Sequence, residues 1–125
     1  MLWILREGKP YYCESYGIER PMKSFLDQTA ARSLIGHDVD GRLYLIIVEV
    51  NPVTKVGVSI YDLANIASYV GLWNAVNLDG GGSTTLYENG EILNVLTDGC
   101  APGQTPAGYQ KKGCERPLTT IACVR

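Results

Sequence analysis

The stretch Asn74-Ala-Val-Asn-Leu-Asp-Gly-Gly-Gly-Ser-Thr-Thr-Leu86 constrains this chain more than any other. A largely apolar run, Ala75 to Leu78, ends on an acid, Asp79. Three consecutive glycines follow, then Ser83, Thr84 and Thr85. A strand that empties into Asp-Gly-Gly-Gly-Ser sets a carboxylate beside backbone that no side chain screens. Glycine is the default residue where the chain takes unusual dihedrals or a ligand touches the main chain. Successive open N–H groups can form a nest for an anion. The local chemistry predicts an anion or sugar-phosphate pocket with one acid at its lip. The competing local reading is an aspartate capping a glycine-rich bend. The run lacks the Lys-Ser/Thr ending of a P-loop. Ser83 has no G-x-S-x-G elbow, and the chain holds one histidine to serve as base.

Around that stretch the pattern reads as hairpins plus one good helix. Leu2 to Arg6 reads as a strand, Glu7 to Pro10 as a turn, and Tyr11 to Ser15 as the returning strand. Residues 17–29 support at most a short helix, on Met22, Phe25 and Leu26. Ala31 to Gly36 reads as a strand and Asp40-Gly41 as a turn. Leu43 to Val50, strongly β-branched, reads as a central strand. Ser59 and Asp62 form a capping-box start. The helix that follows, about 59–71, carries Ile60, Leu63, Ala64, Ala67 and Val70 on one stripe, with Gly71 as its stop. Thr84 to Glu88, Asn89-Gly90 and Glu91 to Leu96 form the clearest hairpin. Leu118 to Val124 reads as a final strand. The expected class is α+β, a largely antiparallel or mixed β-sheet with one main helix, forming part of a domain.

The 125 residues amount to one domain's worth of chain. With 46% hydrophobic and 19% charged residues the composition is globular. A net charge of -2, with no basic block, argues against nucleic acid or a membrane surface as partner. No apolar run is long enough to span a bilayer. Cys13, Cys100, Cys114 and Cys123 include no C-x-x-C pair, which leaves a zinc site a poor reading. Their even number and the loop-like flanks of Cys100 and Cys114 suggest disulfides and an oxidising compartment; the alternative is four free thiols. Met1 to Arg6 lacks the apolar core of a signal peptide, so a disulfide protein would need an N-terminal part beyond this chain.

Further candidates stand outside the glycine loop. Arg32, at the head of an apolar strand, could hold phosphate through bidentate hydrogen bonds, or could be an edge arginine. Arg116 has the same ambiguity. His37 could act as acid or base, or simply head a hairpin. Trp73 reads as packing, whereas Tyr109 in the long loop could stack on a ligand.

Arg32-Ser-Leu-Ile-Gly-His-Asp38, the helix after Gly57, Asn74 to Ser83, and Cys114-Glu-Arg-Pro-Leu-Thr-Thr-Ile-Ala-Cys-Val124 occur in the order seen in phosphodiester glycosidases. The chain resembles that family over nearly its whole length. Gly36-His-Asp38 and the bracketing cysteines look more like its animal branch than its bacterial one. The resemblance implies hydrolysis of a sugar–phosphate diester, releasing N-acetylglucosamine and exposing mannose 6-phosphate on lysosomal enzyme glycans. It implies a phosphoglycan on glycoproteins as partner, no cofactor or metal, and the secretory pathway, with the Golgi lumen as the animal location. It casts Asp79 and Arg32 as catalytic, and Gly80, Gly81, Gly82, Ser83, Thr84, Arg116 and His37 as substrate-binding. It also makes residues 1–125 the C-terminal portion of a catalytic domain whose other strands lie upstream. The alternatives are a bacterial-type enzyme acting on exopolysaccharide and a non-catalytic sugar-phosphate-binding fragment. Cys100–Cys114 with Cys13–Cys123 is one of three possible pairings.

Overall fold

The computed structural model describes residues 1–108, 113–118 and 121–123. Its main helix forms where the local chemistry puts it. The Ser59 hydroxyl accepts the Asp62 N–H at 3.2 Å, and the Asp62 carboxylate accepts the Ser59 N–H at 3.0 Å. This closed capping box satisfies two otherwise orphaned donors. The helix, which we call αM, runs Ile60–Val70 and stops at Gly71, whose φ of 90° suits glycine. Ile60, Leu63, Ala64 and Ala67 are buried, whereas Val70 at the end of the stripe is 43% exposed.

αM packs on a five-stranded sheet in which every neighbouring pair is antiparallel. In chain order the strands are βA (Leu2–Arg6), βB (Lys9–Pro10), βC (Arg32–His37), βD (Leu43–Val48) and βE (Asn74–Asn77), with spatial order βB-βA-βE-βC-βD. Leu2, Ile4, Leu34 and Ala75 form the core with αM and Leu26. On the opposite face Trp3 and Leu45 are 43% and 42% exposed. βD, expected at the centre, lies at the sheet's edge. Its apolar residues reflect a half-covered face rather than burial on both sides. The Asp40-Gly41 turn ahead of it is built around Asp38, whose carboxylate accepts from Asp40 N, Arg42 N and the Tyr44 hydroxyl.

The stretch after βB departs from expectation. Tyr11 to Ser15 does not return as a strand; Tyr12–Glu19 is a helix, αN, followed by a short helix, αP, at Lys23–Asp27. Pro10 brings no N–H to extend the ladder. The Ser15 hydroxyl instead donates to Trp3 O at 2.7 Å, and Tyr12 meets Tyr61 edge-on at 5.0 Å between centroids. Tertiary docking outweighs the local pattern here. The Asn89-Gly90 hairpin forms as expected but shorter, pairing Tyr87–Glu88 with Glu91–Ile92. Both turn residues have positive φ, 51° and 90°, as a primed turn requires. The expected Leu118–Val124 strand lies partly outside the described residues, and Leu118 and 121–123 belong to no strand. Cys100 and Cys114 are bonded, whereas Cys13 and Cys123 are free and exposed, so the second pairing is corrected.

Two aspartates give the fold an acid sensitivity. Hydrogen bonds from Ser59 hold Asp62 below its ordinary pKa. At Asp38 burial pushes the other way, but bonds from Arg42, Tyr44 and Asp40 outweigh it. A carboxyl depressed in the folded state stabilises it above the unfolded pKa, and that contribution fades as pH falls through the folded value. Thermal stability should therefore fall on acidification below about pH 4. Ser59→Ala should cost about 1 kcal/mol at neutral pH and flatten that acid slope. An unchanged melting profile for Ser59→Ala would show that the box is not stabilising.

Candidate active site

The Asp-Gly-Gly-Gly-Ser loop is tied down by the head of βC. Leu78 N donates to Ser33 O at 2.9 Å, the Ser33 hydroxyl to Asp79 O at 2.6 Å, and Gly81 N to Ala31 O at 2.8 Å. Gly80 N turns back to Asp79 Oδ1 at 2.9 Å. Gly81–Ser83 closes as a single 3₁₀ turn, with Ser83 N on Gly80 O and Thr84 N on Gly81 O. Four of the loop's N–H groups are thus consumed, three within the loop and that of Gly81 by Ala31 O. The loop is a braced turn that offers the Asp79 side chain rather than an open nest of amides.

The opposing wall comes from the segments around the disulfide. Arg116 donates side-on to Asp98, Nε to Oδ2 at 2.6 Å and Nη2 to Oδ1 at 3.1 Å. Asp98 O accepts Cys114 N at 3.0 Å. The Asp98 carboxylate holds the Arg116 pKa above its ordinary value, and the charge of Asp79 adds to the effect. Gly82 lies against this pair so closely that a Cβ there would overlap both Asp98 and Arg116. Between the walls is a cavity of about 300 Å³ lined by Ser33, Leu78, Asp79, Ser83, Arg116 and the two residues after it. A second cavity, about 240 Å³, shares Ser33, Leu78 and Ser83 and runs over the apolar sheet face beneath Leu45 and Ile47. A carboxylate, a guanidinium and two hydroxyls around one cleft can grip an anion and a polyol together.

Of the residues expected from sequence, Asp79, Ser83 and Arg116 share this cleft. Arg32 does not line it. Neighbouring residues of a strand point to opposite faces, so Ser33 meets the cleft while Arg32 turns to the helix side. There Arg32 is 2% exposed and lies 4.7 Å above the Phe25 ring. Its guanidinium donates to Phe25 O, Gln28 O and Val58 O at 3.0, 2.7 and 3.3 Å. Burial lowers its pKa, yet arginine keeps its proton in proteins. His37 is four residues along βC, about 13 Å from Ser33. Its Nδ1 is 2.8 Å from Asp38 O and its Nε2 is 3.0 Å from the Asn74 amide. Thr84 is buried, with its hydroxyl unpartnered among the described residues. Gly80, Gly81 and Gly82 form the turn after Asp79 and are not among the residues lining the cleft. Tyr109 lies outside the described residues.

Sequence reading missed Ser33 and Asp98. The signal for Asp98 was spacing: it precedes Cys100 by the same two residues by which Arg116 follows Cys114. A Cys100–Cys114 bond would therefore bring acid and base level. Ser33 carried no signal beyond its place beside Arg32. Among the described residues no group of three or more His, Cys, Asp or Glu could hold a metal ion, and no helix is long and apolar enough to cross a membrane.

With the glycine loop at the end of βE and the acid–base cleft beside it, the sequence and fold define a phosphodiester glycosidase: the chain belongs to that family, whose model matches residues 2–125. Among individual relatives, the N-acetylglucosamine-1-phosphodiester alpha-N-acetylglucosaminidase of Mus musculus is 29% identical over 131 residues, covering 99% of this chain and 24% of the mouse protein. An SPbeta prophage-derived uncharacterized protein of Bacillus subtilis is 29% identical over 100 residues, covering 78% of this chain and 14% of its own length. The zebrafish N-acetylglucosamine-1-phosphodiester alpha-N-acetylglucosaminidase catalytic domain, solved auto-inhibited by its pro-peptide, matches with a TM-score of 0.79 at 30% identity. That match covers 94% of this chain and 38% of the zebrafish chain. The chain thus spans about a quarter of the mouse relative's length.

Proposed function

We propose that this chain carries the acid and phosphate-gripping groups of a site that hydrolyses a sugar-1-phosphate diester. The observation that supports this best is the meeting of Asp79 and Arg116 at one polar cleft in a member of the phosphodiester glycosidase family. The bond to be broken joins an anomeric carbon to a phosphate oxygen. Its leaving group departs as a phosphate monoester, already a good anion. The demand is therefore for stabilising growing charge on phosphate rather than for a strong acid. Arg116 supplies that charge from the wall of the cleft. Asp79, one oxygen held by Gly80 N and the other without a partner among the described residues, serves the sugar side as catalytic or hydroxyl-anchoring carboxylate. Ser33 and Ser83 hold sugar hydroxyls. Arg32 acts behind the site, holding the head of βC in place.

The proposed substrate is N-acetylglucosamine joined through phosphate to mannose on a glycoprotein, with mannose 6-phosphate exposed by the reaction. The N-acetylglucosamine phosphodiester follows the names of the mouse and zebrafish relatives; mannose 6-phosphate follows the family resemblance of the sequence. The Cys100–Cys114 bond suits an oxidising compartment, and we place the protein in the secretory pathway, in the Golgi lumen.

Release of N-acetylglucosamine from such a diester by the intact chain, compared with Asp79→Asn and Arg116→Ala, tests the reading. A fall in kcat/KM of about 10²-fold or more is expected for Asp79→Asn, and a similar loss for Arg116→Ala. Wild-type turnover in Asp79→Asn would exclude the carboxylate role. Binding without turnover by the unaltered chain would favour a sugar-phosphate-binding module, and turnover only of a polysaccharide phosphodiester would favour the bacterial-type substrate.

A further inference from the structure

We infer that Asp98, outside the cleft, is a positioning and charge-setting residue that aims Arg116 and makes the site prefer a monoanionic phosphodiester to a dianionic phosphomonoester. This rests on reading the cleft as a phosphodiester site. The geometry carries it in two steps.

The first step is aim. A guanidinium on a half-exposed arginine is normally free to sample many rotamers, and ordering it costs entropy. Here both Asp98 oxygens are committed to Arg116, through Nε and Nη2, in the side-on arrangement that fixes the plane of the group. Of the five N–H donors, those on Nη1 and the second on Nη2 are left for other partners. Asp98 is itself fixed, because its carbonyl takes Cys114 N at 3.0 Å and the Cys100–Cys114 bond closes the ladder two residues further on. Gly82 completes the cradle, since any side chain there would occupy the space of the ion pair.

The second step is charge. Among the described residues at the cleft, Arg116 is the one cation, and Asp98 already balances it. Asp79 then leaves the site with a net negative charge. A phosphodiester brings one negative charge; a phosphomonoester at neutral pH brings nearly two. Each added negative charge meets described side chains that hold no surplus cation to receive it. The monoester left on the glycan after hydrolysis is thereby disfavoured relative to the diester that entered, which favours release.

The test is binding, by titration calorimetry at about pH 7.5, where a monoester is dianionic. The probes are N-acetylglucosamine 1-phosphate and its methyl diester, measured on the oxidised chain and on Asp98→Asn, Asp98→Ala and Arg116→Ala. Asp98→Asn keeps the shape and one acceptor for Arg116 while removing a negative charge. It should shift the monoester-to-diester affinity ratio toward the monoester by about three- to tenfold, the worth of a unit charge about 6 Å away in a wet site, and added salt should shrink that shift. Asp98→Ala, which releases the guanidinium, should weaken the diester by about tenfold. An Asp98→Asn protein that melts lower but keeps the wild-type ratio would mark the pair as a mere brace and overturn the proposal. If Arg116→Ala weakens both probes while that ratio stays fixed, only the role of Asp98 fails. If Arg116→Ala binds both probes like the wild type, the phosphodiester reading fails with it.

Discussion

Arg32→Met is expected to lower the unfolding free energy by about 2–4 kcal/mol, because three backbone carbonyls lose their charged donor. The methionine would fill much of the volume but donate nothing. Phe25 O, Gln28 O and Val58 O, in part-buried contacts, would each lose a donor, with Val58 O keeping Ala30 N, and a polar group left unmet out of water costs about 1–3 kcal/mol. The stacking on Phe25 would lose its cationic part as well. Arg32→Lys should recover little, because a single ammonium on a flexible stem cannot reach three diverging carbonyls with the planar fork of arginine. Urea denaturation of the two variants would measure this. A loss below about 1 kcal/mol in Arg32→Met would mean the carbonyls find other donors and that the guanidinium is free for another task.

Gly82→Ala should produce the reverse profile, a large loss of activity with a small loss of stability. The added methyl would fall on the Asp98 carboxylate and the Arg116 Nη2 group. Both are ends of side chains, so the ion pair gives way before the backbone does. The fold keeps its sheet and helices, and Arg116 leaves its place at the cleft. Misplacing a gripping group by an ångström or so can cost on the order of 10² in rate, and a loss of that size in kcat/KM is expected here. Near-normal turnover in Gly82→Ala would mean that Arg116 works from some other position. A collapse in melting temperature alone would point to Gly82 as a folding residue.

The contrast between these two sites marks what the chain discloses about itself. Where the determinant is local, the sequence announces the structure. Ser59 and Asp62 stand three apart and close their own box, and Asn89-Gly90 admits the positive φ values of a tight hairpin. Asp79 likewise sits where its strand ends, beside a loop whose glycines admit close packing. Where the determinant is tertiary, the residues are visible but their partners are not. Tyr11 to Ser15 alternates well enough for a strand and becomes a helix because Ser15 and Tyr12 find Trp3 and Tyr61. Leu43 to Val50 looks central because apolar residues alone do not say how many faces are covered. Arg32 looks like a phosphate ligand because nothing near it in sequence reveals the three carbonyls, one of them 26 residues away, that surround it. Asp98 carries no motif of its own, and its meaning depends on the disulfide that sets it level with Arg116.

The self-bonding of the glycine loop has a consequence for the economy of recognition. Gly80, Ser83 and Thr84 spend their amides on the loop itself and Gly81 spends its amide on Ala31 O, so the loop's shape is complete before any ligand arrives. Such a loop is preorganised: an incoming molecule need not organise the main chain and is not rewarded by it either. Discrimination therefore falls to side chains at the rim, which can be exchanged one at a time without unmaking the turn. The glycines keep the scaffold constant, and the rim is free to change what it accepts.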